Sequence, residues 1–311
     1  MPRIVFLCPF VRTEITGGIR NAYRHAEILT EAGIDAFVYQ PDGAPAWFET
    51  TARVLRERHF MPAPGDVLVF PETLNGTLAE MVQAPLNAKK VLFCQAHHYL
   101  LFSSIAPERL PHLGFIKVAC QSSIAKGFLE RVLGFRDVAV IPCAIDTALF
   151  FPRQKRMQVA FIQRKLPREA ASIHRIFHLK YRQFGTVDWV VVENRTERET
   201  ATILGESAIV LSLPFLESFG LVPLEAMASG ALVTGFDGYG GQEYATSENG
   251  MWFPPDHLEE TADAVAKLIG GIMRNDADVE RMRQAGFATA AGYDKTATRA
   301  ALLEFYGPLV R

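Results

Sequence analysis

Short runs of consecutive apolar residues alternate with longer stretches in which apolar positions recur every three or four residues, and the alternation continues along nearly the whole chain. Runs such as Val67-Leu68-Val69-Phe70 contain no polar alternation, the mark of a strand covered on both faces. They predict strands over 3–9, 36–40, 66–71, 90–94, 117–120 and 138–141. The stretch 124–133 places Ile124, Phe128, Leu129, Val132 and Leu133 at helical spacing, and a helix is expected there and over 18–32. After a proline-punctuated segment (Ile141-Pro142-Cys143, then Phe151-Pro152) the pattern restarts. Strands are expected over 158–162, 188–192, 208–213 and 232–236, with helices over 168–183, 197–206, 222–229, 257–269 and 296–309. Strand and helix in strict alternation predict an α/β chain with parallel sheets. The proline-rich segment predicts a boundary: one domain over 1–142, a second over 143–295, and a final helix over 296–311 that is a candidate to cross back to the first.

Composition sharpens this picture little. With 311 residues the chain can bury two cores, and 49% hydrophobic with 21% charged residues is the profile of a globular enzyme. A net charge of −2 gives no overall attraction to nucleic acid. The longest uncharged stretch, 91–107, holds Gln95, His97, His98, Ser103 and Ser104, too polar to span a bilayer. Cys8, Cys94, Cys120 and Cys143 have no metal-binding spacing and sit in or beside apolar runs, so buried thiols and a reducing, cytoplasmic setting are expected.

The candidate chemistry lies after the strands. In an open parallel sheet, ligands gather at the carboxyl ends of the strands. The segment 214–230, PFLESFGLVPLEAMASG, runs from one strand into one helix. Pro223 suits the first helical position, which places Glu225 in the first turn. Gly220 allows close backbone approach, and the amides of Ser218, Phe219, Gly220 and Leu221 would form an anion cradle at a helix N-terminus. Glu217 and Glu225 flank that cradle and suit recognition of hydroxyls. Gln163-Arg164-Lys165 follows the first strand of the second half and offers two cations to a diphosphate, with Arg168 a rival to Lys165 for the second. Near the N-terminus, Thr16-Gly17-Gly18 opens a helix after the first strand. It lacks the GxGxxG of a dinucleotide site but can meet a phosphate or a sugar. His97 and His98 follow the strand at 90–94. As neighbours projecting to different sides they make a poor metal pair, and no HxH, HExxH or supported DxD set occurs, so no metal and no cofactor is expected. Trp47 and Phe48, close to Arg53, Arg56 and Arg58, are read mainly as part of a solvated helix face, with weak contact to an anionic membrane as a second use.

The 214–230 string, with its glutamates eight apart, resembles the E-x7-E motif of retaining GT-B glycosyltransferases of the family-4 type (glycosyl transferases group 1). Three further segments are similar to that family: IPCAIDTALFFP at 141–152, in which Cys143 and Ala144 stand where the family has Asn and Gly; Gly240-Gly241-Gln242-Glu243; and the loop at Gly17 and Gly18. The resemblance implies two Rossmann-like domains facing across a cleft. It also implies transfer, with retention, of a hexosyl group from a UDP- or GDP-linked sugar to a glycan, lipid-linked or small-molecule acceptor, with no nucleic-acid partner. It gives Glu225 the ribose, Glu217 the sugar hydroxyls, and Arg164 and Lys165 the diphosphate. His97, one residue nearer the strand than His98, takes the 6-position side of the sugar, and Gly17 and Gly18 contact the donor. Two rivals share the fold: a nucleotide-sugar 2-epimerase and a non-catalytic nucleotide-sugar or glycan-binding relative.

Overall fold

A computed structural model describes residues 2–162 and 166–310 and divides them into two compact units, Met1–Cys143 with Thr296–Arg311, and Ala144–Lys295. Among the described residues no helix is long and apolar enough to cross a membrane.

The first unit contains strands β1 (Ile4–Leu7), β2 (Ala36–Tyr39), β3 (Arg53–Leu55), β4 (Val67–Pro71), β5 (Lys89–Cys94), β6 (Phe115–Cys120) and β7 (Ala139–Val140). They form one parallel sheet in the order β3-β2-β1-β4-β5-β6-β7. Register pairs Ile4 with both Ala36 and Val67. Because successive side chains leave a strand on opposite faces, the apolar runs divide cleanly. Val5, Leu7, Leu68, Phe70, Leu92 and Val118 enter one core, and Ile4, Phe6, Val67, Val69, Val91 and Phe93 enter the other. The first core is closed by Leu78 and Val82 of α2 (Gly76–Gln83) and Ala125 and Leu129 of α3 (Ser123–Arg131). The second is closed by Ile19, Tyr23, Ala26 and Leu29 of α1 (Gly17–Glu31) and by the last helix of the chain, Lys295–Val310, which brings Leu302, Phe305, Tyr306 and Leu309. Lys89 Nζ donates to the Leu309 carbonyl at 2.6 Å and Lys117 Nζ to that of Phe305 at 2.9 Å. Two cations thus lie along the last turns of that helix, the favourable end of its dipole for positive charge, and Lys89 meets one of the terminal carbonyls that have no helical partner.

The basic stretch expected on a helix face is instead β3, the sheet's edge. Arg53 pairs with Asp35 at 2.6 Å and lies over the Phe37 ring. A three-residue edge strand carries no hydrophobic period, which is why the pattern misled. Phe48 is buried against Tyr23, so that aromatic belongs to the core.

The second unit contains β8 (Arg156–Phe161), β9 (Asp188–Val191), β10 (Ser207–Ser212), β11 (Leu232–Phe236) and β12 (Met251–Phe253), all parallel, in the order β12-β11-β10-β8-β9. Every residue of the central strand β10 is buried. One face packs on α4 (Pro167–Lys180) and α7 (Leu258–Met273), through Ile173, Phe177, Val265 and Ile269 among others. α5 (Glu197–Glu206) starts on a capping box between Thr196 and Glu199. α6 (Leu221–Ala228) lies close to α8 (Ala277–Ala291), where Gly286 leaves room for Met227. All four cysteines are buried and unpaired in disulfides.

Candidate active site

In the second unit the site grows out of the carboxyl end of β10. The chain leaves the sheet through Leu213 and Pro214, and Leu216 takes a positive φ of 47°. At Glu217 it pairs in parallel with Tyr239, and the Gly240 amide donates to the Glu217 carbonyl at 2.8 Å. The loops after β10 and β11 are thereby fastened to each other above the sheet. Glycine is obligatory in this fastening. A Cβ on Gly240 would sit 2.2 Å from the Ser218 carbonyl carbon and 2.3 Å from the Phe219 nitrogen, and one on Gly238 would lie 2.5 Å from Pro214. The turn ends at Gly220, whose φ of 85° makes it the left-handed N-cap of α6. Tyr244 donates its hydroxyl to the Gly220 carbonyl at 2.6 Å, and the Phe219 ring packs on Tyr244 and Tyr293 at 5.6 and 5.3 Å.

The outcome is a rigid strand–turn–helix corner whose helix presents unpaired N–H groups and positive dipole. Glu217 is at its rim: its Oε2 lies 3.5 Å from where a Cβ on Gly220 would be. Glu217 is half-buried and Glu225 is 4% exposed. The helix begins at Leu221, one residue before the expected start at 222 and two before Pro223. Pro223 is therefore its third residue, still among the four whose N–H has no helical partner, and Glu225 is its fifth, past the first turn. Helical side chains lean toward the N-terminus, so Glu225 is directed back toward the corner from the second turn. Gln163, Arg164 and Lys165 lie outside the described residues. Arg168 is exposed on the first turn of α4.

In the first unit three neighbouring strands each end on a polar residue: Glu72 after β4, Gln95 after β5 and Gln121 after β6. Gln95 is the hub. Its side-chain nitrogen donates to the Gly18 carbonyl at 3.0 Å, and its oxygen accepts from Asn21 at 3.1 Å and from Gln121 at 2.6 Å. Its backbone amide donates to Glu72 at 3.0 Å. Burial pushes the Glu72 carboxyl above its ordinary value, against backbone N–H donors that hold it down. Gly17 and Gly18 open α1, capped by Thr16, whose hydroxyl accepts from the Ile19 amide at 3.3 Å. The glycine loop and the ends of β5 and β6 are thus one hydrogen-bonded cluster. Only the glycines were singled out in the sequence. The signal for the rest was an amide or acid directly after an apolar strand, in Pro71-Glu72, Cys94-Gln95 and Cys120-Gln121.

His97 is fully buried, its ring tilted against those of His98 at 4.0 Å and Phe128 of α3 at 4.5 Å. The two imidazoles lie side by side instead of projecting to different sides, because the helical turn at His97–Phe102 brings them together. Burial, then the neighbouring His98, lowers the His97 pKa to about 4, so it is a neutral ring at pH 7. His98 is half-buried and lowered in the same sense.

Comparison with known proteins agrees with this architecture. Residues 185–287 match the family Glycosyl transferases group 1. An alpha-1,6-glucosyltransferase of Actinobacillus pleuropneumoniae serotype 7 is 26% identical over 242 residues, 76% of this chain and 73% of that protein. Among solved structures, sucrose-phosphate synthase from Thermosynechococcus elongatus superposes with a TM-score of 0.73 at 14% identity, covering 99% of both chains. Anabaena HepE, solved in complex with UDP and glucose, superposes at 0.65 and 14% identity, covering 99% of this chain and all of that one. Two parallel-sheet α/β units of this kind constitute the GT-B fold. The fold is GT-B, the chain is a glycosyltransferase, and its residues 185–287 are similar to group 1.

Proposed function

We propose that this glycosyltransferase moves a hexosyl group from a nucleotide-diphosphate sugar to an acceptor hydroxyl, with retention of the anomeric configuration, in the synthesis of a polysaccharide or glycoconjugate. The observation that carries the reading is the corner at 217–221, where a carboxylate overhangs a glycine-capped helix N-terminus. Such a terminus favours a diphosphate, and the carboxylate beside it favours the hydroxyls of the attached sugar. Support comes from the solved neighbour that holds UDP and glucose.

In this reading the amides of Ser218, Phe219, Gly220 and Leu221 take the diphosphate, aided by Arg164 and Lys165 or Arg168. Charge on the leaving nucleotide grows as the glycosidic bond lengthens, and fixed N–H groups and cations stabilise that state more than the ground state. Glu225 binds the ribose hydroxyls. Glu217 binds the sugar and stabilises its oxocarbenium-like charge. His97, neutral, accepts or donates a hydrogen bond on the 6-position side, and Gly17 and Gly18 contact the donor. The leaving diphosphate takes the acceptor's proton, so the chemistry runs without a metal and without a further cofactor. The enzyme works in the cytoplasm, peripheral to the inner face of a membrane when its acceptor is lipid-linked.

The test is donor hydrolysis. Incubated with UDP-, GDP- and ADP-sugars, the protein should slowly release nucleotide from one donor, and Glu217→Ala should lower that rate by about 10²-fold or more while the melting temperature stays within a few degrees. Interconversion of sugars without nucleotide release would mark an epimerase. A ligand-induced rise in melting temperature with no turnover would mark a binding protein.

A further inference from the structure

Outside this site, helix α4 carries a second arrangement of chemical interest. His174 and His178 are one turn apart and half-buried, with their Nε2 atoms 3.1 Å from each other. Trp189 of the edge strand β9 meets His174 edge-on at 4.9 Å and lies 6.2 Å from His178. His174 borders an open groove that Phe161, Trp189 and Val191 line from the sheet, and Arg175 from the helix.

Two imidazole nitrogens bound to one transition-metal ion at about 2.0–2.1 Å, at angles near 90–109°, stand about 2.9–3.4 Å apart. The observed 3.1 Å falls inside that range. Among the described residues no third His, Cys, Asp or Glu completes a cage, so water fills the remaining positions. Arg175 shares the groove and opposes a cation, so affinity comes from the two nitrogens alone.

We infer that His174 and His178 form a two-histidine site for a divalent transition metal on α4, separate from the donor corner. With no metal, one ring donates its Nε2–H to the other; on binding, that hydrogen passes through solvent to Nδ1 and the ion takes its place. Nitrogen ligands select Cu²⁺ over Ni²⁺ and Zn²⁺, and Mg²⁺ does not compete.

The experiment is a tryptophan-fluorescence titration of the full chain, free of any affinity tag, with CuSO₄, NiCl₂ and MgCl₂ at pH 7.5. Expected are saturable, EDTA-reversible quenching at one ion per chain, Cu²⁺ tighter than Ni²⁺, and no response to Mg²⁺. His178→Ala and His174→Ala should each weaken binding at least about tenfold, since even partners outside the ligand sphere cost 10–100-fold. Trp189→Phe should keep the stoichiometry by calorimetry and lose most of the quenching, which ties the signal to this helix even where an alanine variant folds poorly. A non-saturable wild-type titration, or one-ion binding that survives the double variant at unchanged affinity, would overturn the proposal. The first outcome would leave a hydrogen-bonded pair only, and the second would move the site to other histidines.

Discussion

The two units solve the same problem with different materials. Both wind helices around a parallel sheet and gather polar groups at the carboxyl ends of the strands. In the second unit the gathered groups are mostly backbone: Gly220, Gly238 and Gly240 let two loops lock together and leave a helix N-terminus open. In the first unit they are side chains, with Gln95 bonded to Gly18, Asn21 and Gln121 above a buried Glu72. Backbone amides fixed by glycines suit a diphosphate, whose charge is large and whose shape varies little. Amide side chains suit hydroxyl-rich ligands, whose donors and acceptors must be matched one at a time. The contrast is one of rigidity against fit, and substitution can test each side of it.

The largest effect should come from Gly240→Ala. Its Cβ meets the Ser218 and Phe219 backbone at 2.2–2.3 Å, so the corner must move. A stability loss of about 4 kcal/mol or more is expected in chemical denaturation, with donor turnover abolished. A variant that melts and turns over like the wild type would mean the corner is pliable and the contrast false.

Next is Gln95→Ala, which strands the partners of three hydrogen bonds: those to Gly18, Asn21 and Gln121 are lost, while the Glu72 contact is made by backbone and stays. Unmaking them in a part-buried site should cost about 2–3 kcal/mol. It should also lower donor hydrolysis, because the cluster holds the Gly18 loop assigned to the donor; an unchanged rate with a raised KM for acceptor would place the amide cluster on the acceptor side.

The smallest effect, and opposite in sign, is expected at His25. This fully buried ring lies between Phe6 and Phe93, and neither nitrogen has a hydrogen-bond partner among the described residues. Burial lowers its pKa from 6.5 to about 3. Below pH 6.5 the unfolded chain binds a proton that the folded chain refuses until about pH 3, so stability is lost as pH falls through that window, by up to about 1.4 kcal/mol per pH unit. His25→Phe should raise stability at pH 7 by about 1 kcal/mol and flatten the stability–pH curve between pH 6 and 4. An unchanged slope, measured by denaturant unfolding across that range, would show that His25 takes up its proton in both states alike.

How much of this was legible beforehand follows from burial. β10 and β11 were read to within a residue, since Ile209, Val210, Leu211, Leu232 and Val233 are apolar on both faces. α8 was not expected at all: only Gly286 and Ala290 of its fifteen residues are buried, so it shows no apolar stripe. β12 is three half-buried residues, and β3 is an equally short edge strand with Arg53 exposed and Val54 and Leu55 half-buried. At the site, the glycine and glutamate positions of 214–230 were visible as a string. The pairing of Glu217 with Tyr239 was not, because it joins two loops separated in sequence and depends on close approaches that glycine permits but does not announce. The meeting of Gln95 with Gln121 is likewise a matter of strand order, which no local pattern encodes. His174 and His178 passed unnoticed because their spacing becomes informative only once α4 is laid against Trp189.

The return of the last helix to the first unit has a consequence for how the protein is made. Phe6 and its neighbours lie against Tyr306, a residue translated some three hundred positions later. While a ribosome is still making the second unit, that side of the first sheet is covered by α1 alone, and the apolar surface that Leu302, Phe305, Tyr306 and Leu309 will cover stays open. Closure of the core on that side therefore waits until residues 296–310 have been made. Nicking the chain before residue 296 would unfold a region that the cut itself never touches in sequence.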